Sequence, residues 1–267
     1  MYLQDVFPND EDAGGLGRFA FWPEARLTEQ DYNEEKGTRI WASWSKYWYP
    51  SQNYLIEKSP GNLIRPRFLQ ALSPKSLFVF ILRHPIAVTL VTKKWSNTTM
   101  FSLMTHWIRA HEIMVSDLPD LRHAIVLSYE EFVADPKNVI QQIFDFLSLD
   151  TPPADNSSFV QNRNDAYFDK WTNFLATQSE RRHRQRSQLR EHLSRAGREP
   201  RHLRSEVWRT ATDLSEEVFG NSIELAMYPR EAEDLCLYYG QIVEKYGYSL
   251  SDLHRYPSIA DLRRLGD

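Results

Sequence analysis

The sequence predicts a three-layer α/β fold in which a parallel sheet is flanked by helices. Three observations predict it. Residues 78–82 read FVFIL, an apolar run without alternation, as expected of a strand covered on both faces. Tyr54-Leu55-Ile56 is a second short β run, and a helical stretch separates the two within about thirty residues, the spacing of a right-handed βαβ unit. Pro85 and Pro136 stand where helices would begin, each directly after a polar residue able to cap.

Taken in order, residues 1–27 are punctuated by Pro8, Gly14, Gly15, Gly17 and Pro23 and read as loop. A helix is expected over about Glu29 to Tyr47, with Trp41, Trp44 and Trp48 near one face. Tyr54–Ile56 is the expected strand, followed by the turn Glu57-Lys58-Ser59-Pro60-Gly61. Asn62 to Leu72 reads as a helix with Pro66 near its start. After the turn Pro74-Lys75-Ser76 come the strand Phe78–Leu82, a helix from Pro85, and another over about Phe101 to Val115. Ala124–Leu127 is a third strand, and Asp135-Pro136 opens a helix whose apolar residues Val139, Ile140, Ile143, Phe144 and Phe146 recur at helical spacing. Residues 151–158 are a Pro/Asn/Ser loop. An arginine-rich section spans roughly 180–209, and a last helix covers about Arg230 to Tyr246. No low-complexity linker divides the 267 residues. They are read as one domain, with an N-terminal loop and helix (1–53), an α/β core (54–150) and a helical C-terminal part carrying the basic segment (151–267).

Composition narrows the function. Hydrophobic residues at 42% and charged residues at 25% are those of a folded chain, not a disordered one. Lys and Arg total 32 against 36 Asp and Glu, and the resulting charge of −4 argues against a general nucleic-acid binder. No apolar run reaches the ~18 residues of a membrane span, and the start is not the basic-then-apolar kind of a signal peptide. The single cysteine, Cys236, excludes an internal disulfide and a cysteine zinc site.

The chemistry concentrates where FVFIL meets Arg83-His84-Pro85. In an open parallel sheet, ligands bind beyond the carboxyl ends of the strands. Arg83 stands at such an end. The helix after it is expected to offer free N–H groups, which attract anions. Thr89 and Thr92 can add hydroxyls, and Lys58 comes off the end of the expected neighbouring strand. Two cations at adjacent strand tips make a phosphate or sulfate site. The plainer alternatives are an Arg83–Glu57 ion pair, a solvated Lys58, and threonines bonded back to their own helix.

The block YLIEKSPGNLIRPRFLQALSPKSLFVFILRHPIAVTL resembles the sulfotransferase family in its EKSP turn, its RFLQAL helix and its strand ending in R-x-P. LRHAIVLSYEEFVADPKNVIQQIFDFLSL resembles that family's strand, acidic turn and "DP" helix, and EKYGYSL a common family ending. The likeness is strongest over about Tyr54 to Leu149. It implies a P-loop-related, nucleotide-binding fold that uses 3′-phosphoadenosine 5′-phosphosulfate as sulfuryl donor, without a metal. On that resemblance Arg83 is the arginine that holds the donor's 3′-phosphate. The family's serine eight positions later is Val91 here, with Thr92 beside it and Thr89 one turn earlier. Lys58 matches a lysine near the transferred group and is the expected catalytic residue.

The family's R-S-G-T-T-type loop, which cradles the 5′-phosphosulfate, does not occur, nor does a G-x-x-x-x-G-K-[ST] motif; Gly14-Gly15-Leu16-Gly17 reads as a flexible turn. The fold is therefore expected to be incomplete at its N-terminal side and the chain's activity weak. His106, His111 and Glu57 are the candidate general bases, each with a plainer reading as a packing residue or ion-pair partner, and His84 reads as a capping or packing residue. Ten arginines between Arg181 and Arg209, offset by Glu180, Glu191, Glu199 and Glu206, form either a solvated basic face or a patch for an anionic glycan acceptor or the donor's phosphate. Trp208 is the one stacking aromatic among them, too few to interleave the arginines, which argues against nucleic acid. The expected reaction is sulfuryl transfer to a hydroxyl or amine of a glycan or small molecule. The alternatives are an inactive relative that binds nucleotide or polyanion, and a fragment. The compartment is left open between cytosol and Golgi lumen.

Overall fold

The structure is a computed structural model that describes residues 4–8, 12, 15–49, 51–150, 161–177, 184, 187 and 231–266. The 151–158 loop and, apart from positions 184 and 187, the arginine-rich section of the sequence reading lie outside the described residues. The chain falls into two compact units: residues 1–168 with 235–267, and residues 169–234. The second is described chiefly as helix over 169–177 and at 231–234.

In the first unit two parallel strands form the sheet, β1 (Phe78–Leu82) and β2 (Ala124–Ser128), in register from Phe78 opposite Ala124 to Leu82 opposite Ser128. Aromatic and β-branched residues favour both strands. Four residues of β2, Ile125 to Ser128, are buried. β1 departs from expectation: Phe80 and Leu82 are buried, but Val79 is 37% and Ile81 60% exposed. An unalternating apolar run thus sits in a strand covered on one face. The expected strand at Tyr54–Ile56 does not form. Those residues are extended and exposed, and β2, not this segment, is the partner of β1. Three residues of β propensity without a neighbouring ladder gain no pairing.

The helices follow their caps. α1 (Glu34–Trp44) starts at Asn33, whose Oδ1 accepts from Lys36 N; short 3₁₀ turns at Glu29–Asp31 and Ser45–Tyr47 account for the rest of the longer helix expected there. The expected helix over 62–72 is a 3₁₀ turn at Pro60–Ile64 followed by α2 (Pro66–Leu72), because Pro66 disfavours helical backbone at Arg65. α3 (Pro85–Lys93) begins directly after β1, and α4 (Met100–Asp117) is capped by Thr99. After β2 come α5 (Tyr129–Ala134) and α6 (Pro136–Phe146), the latter capped by Asp135 as expected. Later helices span Glu231–Glu244 and Ile259–Leu262.

α6 and Ile259 cover β2: Ile125, Leu127, Val139 and Ile259 form one core cluster with Phe132, Ile143 and Phe146 against it. α1 and α2 meet in a second cluster of Phe7, Ile40, Trp44, Phe68 and Leu72. Gly17 is a packed position, not a loose turn. Its φ is +75°, and a Cβ there would stand 2.6 Å from Leu103 Cδ2 and 2.9 Å from Thr92 Cγ2, so the N-terminal chain presses between α3 and α4.

Candidate functional site

The register that pairs Leu82 with Ser128 places the next residues of each chain, Arg83 and Tyr129, side by side beyond the carboxyl ends of the strands. The Arg83 guanidinium carbon lies 4.4 Å from the centroid of the Tyr129 ring, a cation–π contact, and 5.7 Å from that of Tyr167. Its Nε donates to Asn164 Oδ1 at 2.8 Å. Its Nη2 is buried and, among the described residues, has no hydrogen-bond partner. Lys94, at the end of α3, reaches the same Tyr167 with its Nζ 3.2 Å from the phenol oxygen.

Beneath the arginine is a half-buried carboxylate. Glu130, in the first turn of α5, accepts from His84 N at 2.9 Å, Asn164 Nδ2 at 2.5 Å, Tyr248 Oη at 3.1 Å and Ser128 Oγ at 3.2 Å. All four donors are neutral. Tyr248 is delivered by Gly247, whose φ of +79° and contact with Pro257 exclude a side chain. Burial holds the Tyr248 phenol well above its usual pKa, so it stays protonated and donates. His84 is buried too. Its Nδ1 accepts from Ile86 N at 3.2 Å and its Nε2 lies 3.0 Å from Ser249 O, which requires the neutral Nε2–H tautomer. Burial lowers its pKa to about 4, in agreement.

The sequence-predicted residues are placed as follows. Arg83 is at the strand tip as expected. Lys58 is exposed in the turn before Pro60 and does not come off a strand, since that strand is absent. Thr89 is 1% exposed, and its hydroxyl donates to Pro85 O at 2.6 Å. Thr92, one turn further, is half-buried, and among the described residues its hydroxyl has no partner. Of the N–H groups expected at the start of α3, Pro85 has none and that of Ile86 is taken by the His84 side chain.

The candidate bases belong to packing. His106 lies edge-on to Phe19 and Phe21, and His111 stacks on Trp107 at 4.0 Å with its Nδ1 2.6 Å from Trp107 O. Burial lowers both pKa values to about 4. Glu57 accepts from Ser59 Oγ and Asn62 Nδ2, closing its own turn. A surface groove lined by Leu121, Arg122, Gln142 and Arg263 also touches Ala124, at the opposite end of β2 from Arg83.

Sequence reasoning missed Asn164, Glu130, Tyr129 and Tyr248 as site residues. Tyr129-Glu130 had a usable signal, since the pair follows β2 as Arg83 follows β1. Asn164 and Tyr248 had none, because only the tertiary fold brings them to the tip.

A family model described as the sulfotransferase family matches residues 18–153, about half the chain, which includes both strands, Arg83, Tyr129 and Glu130. No curated protein and no solved structure matches the chain significantly. A strand-tip arginine with an open donor, set on the sheet of the matched segment, is thus carried by a chain that belongs to the sulfotransferase family.

Proposed function

We propose that this chain binds 3′-phosphoadenosine 5′-phosphosulfate with the 3′-phosphate on Arg83, and that its reaction passes the sulfuryl group to a hydroxyl or amine acceptor. Family membership supports sulfuryl transfer as the general class. The observation that carries the finer reading is Arg83 Nη2, buried without a partner while Nε and the ring plane are fixed. A buried guanidinium N–H left unmade is costly, and a phosphate oxygen is the acceptor such a fork fits best. Thr92 would supply the hydroxyl one helical stretch on. Thr89 is the alternative, and it would have to release its bond to Pro85 O to donate to a phosphate oxygen.

In the transfer, the acceptor atom forms a bond to sulfur as the bond from sulfur to the 5′-phosphate oxygen breaks. The acceptor loses a proton, and adenosine 3′,5′-bisphosphate leaves. Lys58, exposed and mobile on its stem, is proposed to neutralise charge on the sulfuryl oxygens. Neither His106 nor His111 is proposed as the base, since both are buried and neutral. The basic segment around Arg181 to Arg209 makes an anionic glycan a suitable acceptor class on charge grounds.

The R-S-G-T-T-type sequence of the family's 5′-phosphosulfate loop does not occur in these 267 residues. That favours a second reading, a protein that binds the nucleotide with little turnover. Calorimetric titration with adenosine 3′,5′-bisphosphate, alongside a donor-desulfation assay, tests both. Binding that is lost in Arg83→Ala supports the site, and turnover then separates enzyme from binder. Full binding by Arg83→Ala would refute the assignment.

A further inference from the structure

A buried hydrogen-bond chain runs from Arg83 through the Asn164 side chain to Glu130. We infer that Asn164 is a positioning residue for nucleotide recognition: it fixes the Arg83 guanidinium so that Nη2 faces the ligand, and Glu130 dictates which way round the Asn164 amide stands. The inference rests on the assignment of Arg83 to the 3′-phosphate.

The argument is one of donors and acceptors. A carboxamide has an oxygen that accepts and a nitrogen that donates, nearly equal in size. Arg83 Nε can only donate, so it needs the oxygen. An ionised Glu130 can only accept, so it needs the nitrogen. The two neighbours therefore select a single orientation of Asn164, which is 2% exposed and further held by its N–H to Asn162 Oδ1 at 2.9 Å. Reversal of the amide would set donor against donor at Arg83 and acceptor against acceptor at Glu130.

Glu130 is itself held by His84 N, Tyr248 Oη and Ser128 Oγ, all neutral. Among the described residues it forms no ion pair. It does not bond Arg83 directly, and among the described residues Arg83 Nη2 is left without a partner. Stacking on Tyr129 sets the plane of that cation, and Asn164 sets its rotation within the plane. Asn164 lies beyond residue 153, where the family match ends, so the match assigns it nothing.

The test compares adenosine 3′,5′-bisphosphate with adenosine 5′-monophosphate, titrated into the whole chain. Asn164→Ala is expected to reduce the preference for the bisphosphate about tenfold while leaving monophosphate affinity within about twofold, a selectivity that general loosening would not show. A second measurement uses the unaltered protein. The Arg83 Nε–H resonance, identified by its loss in Arg83→Lys, is expected to exchange with water far more slowly than those of exposed arginines. Preference retained in Asn164→Ala but lost in Arg83→Ala would overturn this inference and leave the site reading standing. So would fast exchange of Arg83 Nε–H in the unaltered chain. Equal affinity of the unaltered chain for both nucleotides would overturn the reading of Arg83 and the inference with it.

Discussion

Two carboxylates in this molecule, the buried Asp117 and the half-buried Glu130, stand near contrasting arginines. Asp117, at the end of α4, is fully buried and takes both terminal nitrogens of Arg26, Nη1 to Oδ2 at 2.7 Å and Nη2 to Oδ1 at 2.5 Å, with Arg67 3.8 Å away. Arg26 Nη1 also donates to Ile64 O at 2.6 Å. Here charge meets charge, and the guanidinium fork is used up in tying the N-terminal chain to α4. Glu130 is bonded by neutral donors, and its arginine is reached only through Asn164. The first arrangement is a staple. The second is a stand that orients an arginine through a neutral side chain and leaves Nη2 without a partner among the described residues. The proposed assignment of Arg83 to a ligand rests on this difference in the partner of the nearby carboxylate.

The largest expected effect is acid destabilisation, which acts on both regions. His84 belongs to the Glu130 side, while His106 and His111 lie on the helix that ends in Asp117. Burial lowers all three to about 4. Above pH ~6.5 these residues are neutral folded or unfolded. As pH falls from ~6.5 towards 4, the unfolded chain gains protons that the native state refuses, and stability is lost, by about 2 kcal/mol per histidine at pH ~5. Urea titrations at pH 7.5 and 5 should show that fall; a flat profile would mean the histidines are not buried as described.

Next, Arg26→Ala leaves Asp117 as a buried charge without its bidentate partner and should cost about 3–5 kcal/mol. It should not change the preference for the bisphosphate nucleotide. A loss under 1 kcal/mol, or altered nucleotide preference, would break the contrast between staple and stand. Arg83→Lys keeps the charge but loses the fork and the stacked plane, so bisphosphate affinity should drop about tenfold with little change in stability. The smallest effect on binding is expected of Lys58→Ala. Bisphosphate affinity should stay within about twofold because the side chain is exposed, while any donor turnover falls several-fold. Unchanged turnover would remove Lys58 from the mechanism.

Much of this was legible from local pattern. β1, α3, α4, β2 and α6 stand where apolar period, Pro at the first turn and side-chain caps put them. Arg83 was legible because a lone cation after a buried strand has few structural reasons to be there. The segment around Lys58 was not. Tyr54–Ile56 has strand composition, yet pairing is decided by neighbours that composition does not reveal. At the start of α3, local pattern did not show that the His84 side chain folds back onto Ile86 N. The Glu130 network was the least accessible, because its donors come from as far as 118 residues along the chain, as Tyr248 does.

The central claim is that Arg83 is held ready for a phosphate. A crystal structure of the whole chain with adenosine 3′,5′-bisphosphate tests it most directly. The account predicts a 3′-phosphate oxygen about 2.8 Å from Arg83 Nη2, with Asn164 Oδ1 still on Nε. A nucleotide bound elsewhere, with Arg83 Nη2 still unpartnered, would contradict it.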